Sequence, residues 1–323
     1  MPHPQILALG EPLLEFNAAT EGPLADDAAF QLGFGGDTSN MVIAARRSGA
    51  GAGYVTRVGD DAFGHALMRL WEREGVDVRH VTGEPGGATG IYFVTRHGEG
   101  RHAFTYRRAG SPACRLSPAD VPEEAVAAAR LLHLSGITQA ISPSACDAAF
   151  HAIDVARRAG TLVSYDPNYR PALWPVERAR AVVLRTAELA DVVLPNLEEG
   201  RLLTGLHEPE EVLAAFARRG PSIVALKMGA DGVLLGEGGR VTHVPAHPVT
   251  AVDATGAGDT FDGAFAARLL DGDSPVEAAG YAVVAAALTT TGPGAVGPIP
   301  RLDTVLAEKA TRPTSNGPHP RPA

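Results

Sequence analysis

Residues 252–265 read Val-Asp-Ala-Thr-Gly-Ala-Gly-Asp-Thr-Phe-Asp-Gly-Ala-Phe, a glycine-rich turn followed by a helix-forming segment. Gly256 and Gly258 allow the backbone to pass close to a ligand, and the pattern predicts a helix that continues to about Leu270. The free N–H groups and the positive dipole end of such a helix suit a phosphate group. Asp259 lies in the first helical turn, where it either caps the helix or acts as a general base aimed at a substrate hydroxyl.

Apolar runs of strand length alternate with segments of helical period over most of the chain. This alternation predicts an α/β fold in which a mostly parallel sheet is covered by helices on both faces. In such folds a ligand lies beyond the carboxyl ends of the strands. The predicted strands are Gln5–Leu9, Tyr54–Val58, Leu131–Leu134, Leu162–Asp166, Val192–Pro195 and Ile223–Lys227, and the predicted helices are Asn40–Ser48, Ala62–Glu74, Pro143–Ala159, Val176–Leu189 and Pro209–Arg218.

The chain has 323 residues and a formal net charge of −9. A net acidic chain argues against nucleic-acid binding, which needs a basic face. Cys114 and Cys146 are the only cysteines and form no CxxC pair, which fits a reducing cytoplasm. The uncharged stretch Ala278–Pro300 contains Gly292-Pro293-Gly294, so it predicts a buried helix and a loop rather than a membrane span. We therefore expect a soluble, cytoplasmic protein that binds neither nucleic acid nor a membrane.

Two segments, about residues 12–34 and 87–108, interrupt the alternation. Both lack long helices and carry alternating residues, which predicts small antiparallel strands that form a discontinuous β-lid on a single domain of residues 1–311. Residues 312–323 are rich in proline, which predicts a disordered tail. Natural proteins usually cover exposed strand edges, so we expect the lids of two subunits to pair in a homodimer or a larger homo-oligomer. The apolar residues expected on the exposed lid face are Leu13, Leu14 and Phe16.

The stretch Asp253–Asp259 resembles the second signature of the ribokinase-like (PfkB) carbohydrate kinases, usually written D-T-T/A-G-A-G-D. Gly35–Asn40 (GGDTSN), followed by Val58–Gly64 (VGDDAFG), resembles the first signature. The resemblance spans roughly residues 6–306. It implies a ribokinase-like three-layer α/β/α fold with a small β-sheet lid, and an ATP-dependent sugar kinase that uses Mg²⁺.

The resemblance also implies roles for single residues. Asp259 would be the base that activates the acceptor hydroxyl. Asn196 and Glu199 match an N-x-x-E motif, which implies that they organise Mg²⁺ and phosphate through water; without the resemblance, Glu199 is predicted to be an exposed acid at a helix start. The amides of the anion hole would be those of Gly256, Ala257 and Gly258. The other residues implied in nucleotide binding are Asn168, Arg170, Lys227, Gly229 and Gly232, and those implied in sugar binding include Gly35, Gly36 and Asn40.

Two segments are similar to stretches of the family that meet the sugar. Asp166–Trp174 (DPNYRPALW) is similar to a D-x-N-x-R stretch of 2-keto-3-deoxygluconate and fructose kinases, and its Arg170 offers a planar pair of donors that fits a carboxylate or a phosphate. Tyr106–Ser111 (YRRAGS) is similar to a Y-x-R-x-G-S stretch of ketodeoxygluconate kinases. On a strand, Tyr106 and Arg108 share one face, and Tyr92 would join them from the preceding strand. An exposed basic hairpin is the alternative.

A sugar acid needs an arginine pair and a neutral sugar does not, so the sequence favours a kinase that phosphorylates a primary hydroxyl of 2-keto-3-deoxygluconate. The alternative is a fructokinase- or ribokinase-like activity on a neutral sugar. A sensor that keeps the fold without catalysis is disfavoured by the intact Asp259 and its glycines. Ketodeoxygluconate kinases often place an acid in a C-terminal loop near the substrate, and the loop of residues 292–297 here (GPGAVG) has none, which leaves the choice of sugar open.

Overall fold

The structure is a computed structural model that describes residues 3–22, 26–97 and 101–311. The strands are β1 (Ile6–Leu9), β2 (Leu13–Glu21), β3 (Phe30–Gly35), β4 (Ala52–Gly59), β5 (Asp77–Glu84), β6 (Ile91–His97), β7 (Arg101–Arg107), β8 (Leu131–Ser135), β9 (Leu162–Asp166), β10 (Val192–Val193), β11 (Ile223–Lys227), β12 (Val233–Glu237) and β13 (Arg240–Val244). The helices are α1 (Asp37–Arg47), α2 (Ala62–Glu74), α3 (Glu123–Ala128), α4 (Gly136–Ala140), α5 (Pro143–Ala159), α6 (Val176–Ala187), α7 (Leu197–Thr204), α8 (Pro209–Ala217), α9 (Ala257–Asp271), α10 (Pro275–Thr289) and α11 (Leu302–Thr311).

Nine strands of the described part of the chain form a central sheet in the order β13-β12-β11-β10-β9-β8-β1-β4-β5. Neighbours from β5 to β11 run parallel, and β12 and β13 extend the sheet antiparallel. Leu7 and Leu9 of β1 lie in one hydrophobic cluster and Ile6 and Ala8 in another, so alternate residues face opposite sides. Helices α5, α6 and α8 cover the first side, and α1, α9 and α10 the second. The predicted three-layer fold with a mostly parallel sheet is confirmed.

The strands predicted from the sequence form the middle of this sheet, from β4 to β11. The largest difference is at Val192–Pro195, where only the first two residues pair as β10. Sequence analysis missed the antiparallel hairpin of β12 and β13. Its turn contains Gly238 and Gly239 with φ of 54° and 77°, so the Gly-Gly dipeptide is the signal that could have predicted it.

The uncharged stretch Ala278–Pro300 forms most of α10 and a following loop, as predicted. Within residues 3–22, 26–97 and 101–311, no helix combines the length and the apolar character that crossing a membrane requires. The expected disordered tail, residues 312–323, lies outside the described residues, as do residues 23–25 and 98–100 of the expected lid.

The second sheet is the lid, with strand order β3-β2-β6-β7. The pairs β2–β3 and β6–β7 are antiparallel hairpins, as predicted, and the two hairpins join through β2 and β6, which pair in parallel. The cause lies in the core. Strand β2 follows β1 and strand β6 follows β5, and β1, β4 and β5 all run in the same direction. The two hairpins leave the core at the same ends of these strands, so their first strands, β2 and β6, run in the same direction and pair in parallel.

Leu13, Leu14 and Phe16 do not form an exposed apolar lid face, contrary to the prediction. Leu14 is fully buried against the core, and Leu13 packs with Tyr92 inside the lid. The rings of Phe16 and Phe93 stack with centroids 5.3 Å apart. Since β2 is an inner strand of the lid that begins at the core, the side chains of its first half are covered by their neighbours. The exposed apolar side chains of the lid are instead Leu32, Phe104 and Tyr106.

Helices α1 and α9 cross closely at Gly263. A Cβ at this position would strike the carbonyl oxygen of Met41 and would lie 2.7 Å from the Cβ of Ala44. The missing side chain therefore lets the two backbones approach each other. Because of this approach, the first turns of α1 and α9 reach the same edge of the central sheet.

The crossing predicts opposite effects of one substitution at two glycines. Alanine normally favours a helix over glycine by about 1 kcal/mol. We expect Gly263→Ala to destabilise the protein by about 1–3 kcal/mol, because the added methyl group overpacks the crossing. Gly280→Ala in α10 is the matched control and should be stabilising, since the nearest atom to a methyl group there is Lys309 Nζ at 4.0 Å.

The measurement is the free energy of unfolding from urea denaturation. Equal shifts for the two variants would contradict the close crossing of α1 and α9.

Candidate active site

The two glycine-rich segments of the sequence meet at the start of α9. Asn40, in the first turn of α1, donates its Nδ2 to Asp259 Oδ2 at 2.8 Å. Gly36 precedes α1 with a φ of 96°, and a side chain there would strike the carbonyl oxygen of Glu11. Gly35, Gly36 and Asn40, predicted for the sugar, therefore lie on the same side of the site as Asp259.

Asp253 fixes the turn before α9. Its Oδ1 accepts hydrogen bonds from the amide and hydroxyl of Thr255 at 2.9 and 2.6 Å, and its Oδ2 accepts one from the amide of Gly294 at 2.9 Å. Gly256 takes a left-handed φ of 77°, and a Cβ there would lie 2.8 Å from the carbonyl oxygen of Ala295. The turn therefore requires glycine at this position.

The first turn of α9 carries the amides predicted to form an anion hole. The first N–H groups of a helix have no acceptor within the helix and face its positive dipole end. The amide of Ala257 differs, because it already donates to the carbonyl oxygen of Ala254 at 3.2 Å. Gly258 has room around it, since the only described atom within 4 Å of a Cβ built there is Lys227 Nζ, at 3.7 Å. Residues 256–259 are all partly exposed, so the turn is open to an incoming anion.

Asp259 lies among other acids at the start of α9. Burial, and then the nearby charge of Asp37, raise the pKa of its carboxyl to about 7, although the hydrogen bond from Asn40 opposes the shift. A carboxyl group with a pKa near neutrality is a stronger base than an ordinary one and can exchange a proton at neutral pH. The position and the pKa of Asp259 therefore suit proton transfer from a substrate hydroxyl.

A buried polar chain crosses the strand ends from α1 to α9. Asn168 donates its Nδ2 to Asp37 Oδ2 and its amide to Asp166 Oδ1, both at 3.0 Å. Lys227 Nζ donates to Asp166 Oδ2 at 3.1 Å and to Asp262 Oδ1 at 2.9 Å. Among the described non-glycine residues, only Asn168 has a positive φ, 36°. The side chains of Asn168 and Lys227, both predicted for the nucleotide, are thus held by buried acids.

Asn196 and Glu199 cap the start of α7. Asn196 Oδ1 accepts from the amide of Glu199 at 2.9 Å, and Glu199 Oε1 accepts from the amide of Asn196 at 2.7 Å, which is a capping box. Glu199 Oε2 accepts from the amide of Tyr169 at 2.8 Å. The alternative of an exposed helix-start acid is wrong, since Glu199 is only 4% exposed. Burial, and then the charge of Asp166, raise its pKa to about 7.

Gly229 and Gly232 shape the turn that follows β11. They have positive φ of 60° and 85°, and a side chain at Gly232 would strike the carbonyl oxygen of Val244. The amide of Met228 closes the turn by donating to the carbonyl oxygen of Gly232 at 2.8 Å. The predicted nucleotide-binding turn therefore lies at the carboxyl end of β11, next to Lys227.

A cleft of about 680 Å³ opens between the lid strand β7 and the segment that follows β9. Tyr106, Arg108 and Arg170 all line it, so three of the residues predicted for the sugar share one cavity. The guanidinium of Arg108 lies 5.4 Å from the ring centre of Tyr106, as expected for two residues on one face. The other walls include Thr89, Ser111 and Leu173.

The two arginines of the cleft differ in what they already bind. Arg108 forms an ion pair with Glu11, whose side chain is fully buried. Burial also lowers the pKa of Arg108 to about 10. Arg170 is exposed at the wall of the cleft. Arg170 is therefore the more accessible cation for an anionic ligand.

Tyr92 lies behind Tyr106 rather than in the wall of the cleft. The two rings stack with centroids 5.5 Å apart, and Tyr92 is only 5% exposed. Its hydroxyl donates to Glu15 Oε2 at 2.5 Å, and a Cβ at Gly35 would lie 2.5 Å from the same hydroxyl. Burial and the charge of Glu15 raise the pKa of Tyr92 far above its ordinary value. The predicted alignment of Tyr92 with Tyr106 is confirmed, and its hydroxyl points to the first glycine-rich motif.

Comparison with known proteins agrees with this geometry. Residues 3–302 match the family model described as pfkB family carbohydrate kinase. The chain belongs to the pfkB family of carbohydrate kinases. It is therefore a phosphotransferase that acts on a sugar hydroxyl.

Individual relatives of this kinase cover nearly its whole length. It is 39% identical over 287 residues to a 2-dehydro-3-deoxygluconokinase of Thermoproteus tenax, which covers 88% of this chain and 87% of the relative. It is 33% identical to fructokinase-1 of Oryza sativa, over 93% of this chain and 96% of the relative. The crystal structure of a fructokinase with bound ATP from Xylella fastidiosa superposes with a TM-score of 0.84 at 26% identity, covering 95% and 98% of the two chains. The ribokinase-like fold expected from the motifs is thereby confirmed.

Sequence analysis of this kinase did not assign the buried acids of the site. Glu11 and Asp166 stand at or just beyond the ends of β1 and β9, and acids at the carboxyl ends of buried parallel strands are a signal that could have found them. Asp262 follows Asp259 by three residues, so both lie on one helix face. Glu15 gave a weaker signal, because it becomes part of the site only through its contact with Tyr92 across the lid.

Proposed function

We propose that this kinase transfers the γ-phosphoryl group of ATP to a primary hydroxyl of 2-keto-3-deoxygluconate. The observation that carries the proposal is the exposed Arg170 in the cleft that Tyr106 and Arg108 also line. A guanidinium binds a carboxylate through two parallel hydrogen bonds, and a sugar acid brings a carboxylate that a neutral sugar lacks. The Thermoproteus tenax relative, whose name gives the same substrate, supports this choice.

Asp259 acts as the general base. Its pKa of about 7 makes it a better proton acceptor than an ordinary carboxylate, although it is still too weak to ionise an alcohol in advance. It therefore takes the proton late, as the hydroxyl oxygen bonds to phosphorus. The positive end of α9 stabilises the charge on the transferred group. The amides that assist are those of Gly256, Ala257 and Gly258, with Ala257 contributing less because of its bond to Ala254.

The nucleotide lies along the carboxyl ends of β9, β10 and β11, with its γ-phosphoryl group at the first turn of α9. The turn after β11 then faces the nucleotide, and the polar residues at the three strand ends surround the phosphates. The residues assigned to this side are Asn168, Arg170, Asn196, Lys227, Gly229 and Gly232, together with Gly256 and Gly258. The sugar side takes Gly35, Gly36, Asn40, Tyr92, Tyr106, Arg108 and Arg170.

Mg²⁺ fits beside Asn196 and Glu199, which would hold it through water. Mg²⁺ prefers oxygen ligands and usually binds proteins through one or two carboxylates and the substrate phosphates. Both Glu199 oxygens are already oriented by backbone amides, and burial and the charge of Asp166 raise the pKa of this carboxyl more than the charge of Lys227 lowers it, so a further cation beside Glu199 would stabilise its charged form. The ion, when bound, neutralises charge on the phosphates.

A neutral sugar is the second candidate substrate. Glu11 neutralises Arg108, which leaves one accessible arginine in the cleft. Arg170 in turn lies near the side assigned to the nucleotide. The likeness to a fructokinase of Oryza sativa supports the same alternative.

We also propose that two copies of the chain pair through their lids in the cytoplasm. Strands β3 and β7 are the edges of the lid sheet and offer unpaired backbone groups. Leu32 on one edge and Phe104 and Tyr106 on the other are between 41% and 53% exposed. A second lid would cover both the edge and these side chains. Cys114 and Cys146 are both free thiols, which suits a reducing compartment.

The role of Asp259 predicts both a pH profile and a variant. In the wild type we expect kcat/KM to fall as the pH drops below about 7, because protonation removes the base. Asp259→Asn should lower kcat by about 10²- to 10⁴-fold while the KM values for ATP and sugar stay within a few-fold. Steady-state kinetics measure both. A variant that keeps more than a tenth of the wild-type rate would show that Asp259 is not the base.

The choice of sugar is tested by ADP release over a panel that includes 2-keto-3-deoxygluconate, fructose and ribose. We expect the sugar acid to be preferred. Arg170→Ala should raise its KM by about 10- to 100-fold, the loss expected for hydrogen bonds to a charged group, and should change the KM for fructose little. Arg218→Ala, an exposed arginine at the end of α8, is the control. A wild type that prefers fructose, or an Arg170→Ala variant in which only the KM for ATP rises, would contradict the hypothesis of a sugar-acid substrate.

The assembly is tested by light scattering at micromolar concentration. We expect the mass of a dimer or of a multiple of it. Phe104→Asp should shift the protein towards a monomer, because a charge on the lid opposes its burial in an interface. Leu202→Asp, on an equally exposed apolar residue of α7, is the control and should leave the mass unchanged. A monomeric wild type would refute pairing through the lids.

A further inference from the structure

Lys227 joins the end of β11 to the underside of the first turns of α9. Its side chain is 12% exposed, and its Nζ lies 2.9 Å from Asp262 Oδ1 and 3.1 Å from Asp166 Oδ2. A Cβ on Gly258 would lie 3.7 Å from the same nitrogen. The ammonium group is therefore wedged between the central sheet and the turn that faces the phosphate.

Asp262 belongs to the same helix face as Asp259, one turn further along α9. Its side chain is 1% exposed, so its contact with Lys227 is shielded from water. A tilt of the first turn that moves Asp259 would also pull Asp262 away from Lys227. The buried hydrogen bond between Lys227 and Asp262 thus resists the motion that would misplace the base.

The charges around Lys227 give the contact a second effect. Asp166, Asp259 and Asp262 are all acids near the strand ends, and buried acids repel one another unless a cation lies between them. Burial by itself would raise the pKa of Asp166, yet the charge of Lys227 and the hydrogen bond with Asp262 lower it on balance. Burial raises the pKa of Asp262 well above its ordinary value, so Asp262 holds the proton of this hydrogen bond and Asp166 carries the negative charge. Lys227 therefore allows these acids to pack beneath the turn.

We propose that Lys227 and Asp262 are positioning residues for phosphoryl transfer. Their buried hydrogen bond clamps the first turn of α9 to the end of β11, and thereby sets the place of Asp259 relative to the phosphate-binding amides. Lys227 then acts through α9 rather than as a direct ligand of the nucleotide, which differs from the role expected from its motif. The inference rests on the proposed transfer to a sugar hydroxyl, but not on the identity of the sugar.

Asp262→Ala is the main test, because alanine keeps α9 helical while it removes the clamp. We expect kcat to fall by about 10- to 100-fold, as for a small misplacement of reacting groups, with the KM values for ATP and sugar within about 3-fold of wild type. Amide hydrogen exchange in residues 256–262, measured without sugar, should become faster. Asp262→Asn keeps an oxygen acceptor for Lys227 and should recover most of the rate. Lys227→Met should repeat the loss in kcat.

Asp273→Asn is the matched control. It breaks the ion pair of Arg268 with Asp273, 2.7 Å long, at the opposite end of α9, and should leave kcat unchanged. A fall in melting temperature without a fall in kcat for Asp262→Ala would mean that the pair only stabilises the fold, and would overturn the proposal. So would a rise in the KM for ATP at unchanged kcat in Lys227→Met, since that is the signature of a nucleotide ligand.

An error in the proposed substrate can be distinguished from an error in the proposed role of Lys227 and Asp262. If the wild type phosphorylates fructose instead of the sugar acid, the same variants are measured on fructose. If it phosphorylates no sugar of the panel, the exchange rates of residues 256–262 decide. Unchanged exchange in Asp262→Ala would reject the clamp in either case.

Discussion

The close crossing of α1 and α9 is the contact on which the site depends. Gly263 carries no side chain, so the backbone of α9 reaches that of α1 at Met41. The same approach sets Asn40 against Asp259. Two motifs that lie far apart in the sequence act as one site because a single position of the interface between two helices is left without a Cβ.

The site contains several acidic side chains, although a kinase must bind negatively charged phosphate groups there. Burial and neighbouring acids raise the pKa values of Asp259 and Glu199 to about 7, although the charge of Lys227 opposes both shifts. Since Lys227 is already held by Asp166 and Asp262, attraction for phosphate must come from backbone amides, from the positive end of α9 and from exposed cations such as Arg170. Because amides and the helix end attract the phosphate while a carboxylate accepts the proton, one pocket can hold a proton acceptor and a negatively charged group side by side.

The central sheet could be predicted because buried parallel strands are continuous apolar runs, as at Ile223–Lys227. The pairing within the lid could not, since no local pattern states that Leu14 pairs in parallel with Ile91. In the site, the motif residues were found by resemblance, and the structure places several of them side by side. The pair of Glu11 and Arg108 could not be foreseen, because its partners lie outside both signatures and 97 residues apart in the sequence.

The parallel pairing of β2 with β6 has a mechanical consequence. Each hairpin is tethered to the core at both of its ends, and the ladder between the two first strands makes them one plate. A displacement of one hairpin that keeps this ladder intact must carry the other hairpin with it, so the two halves of the lid form one mechanical unit.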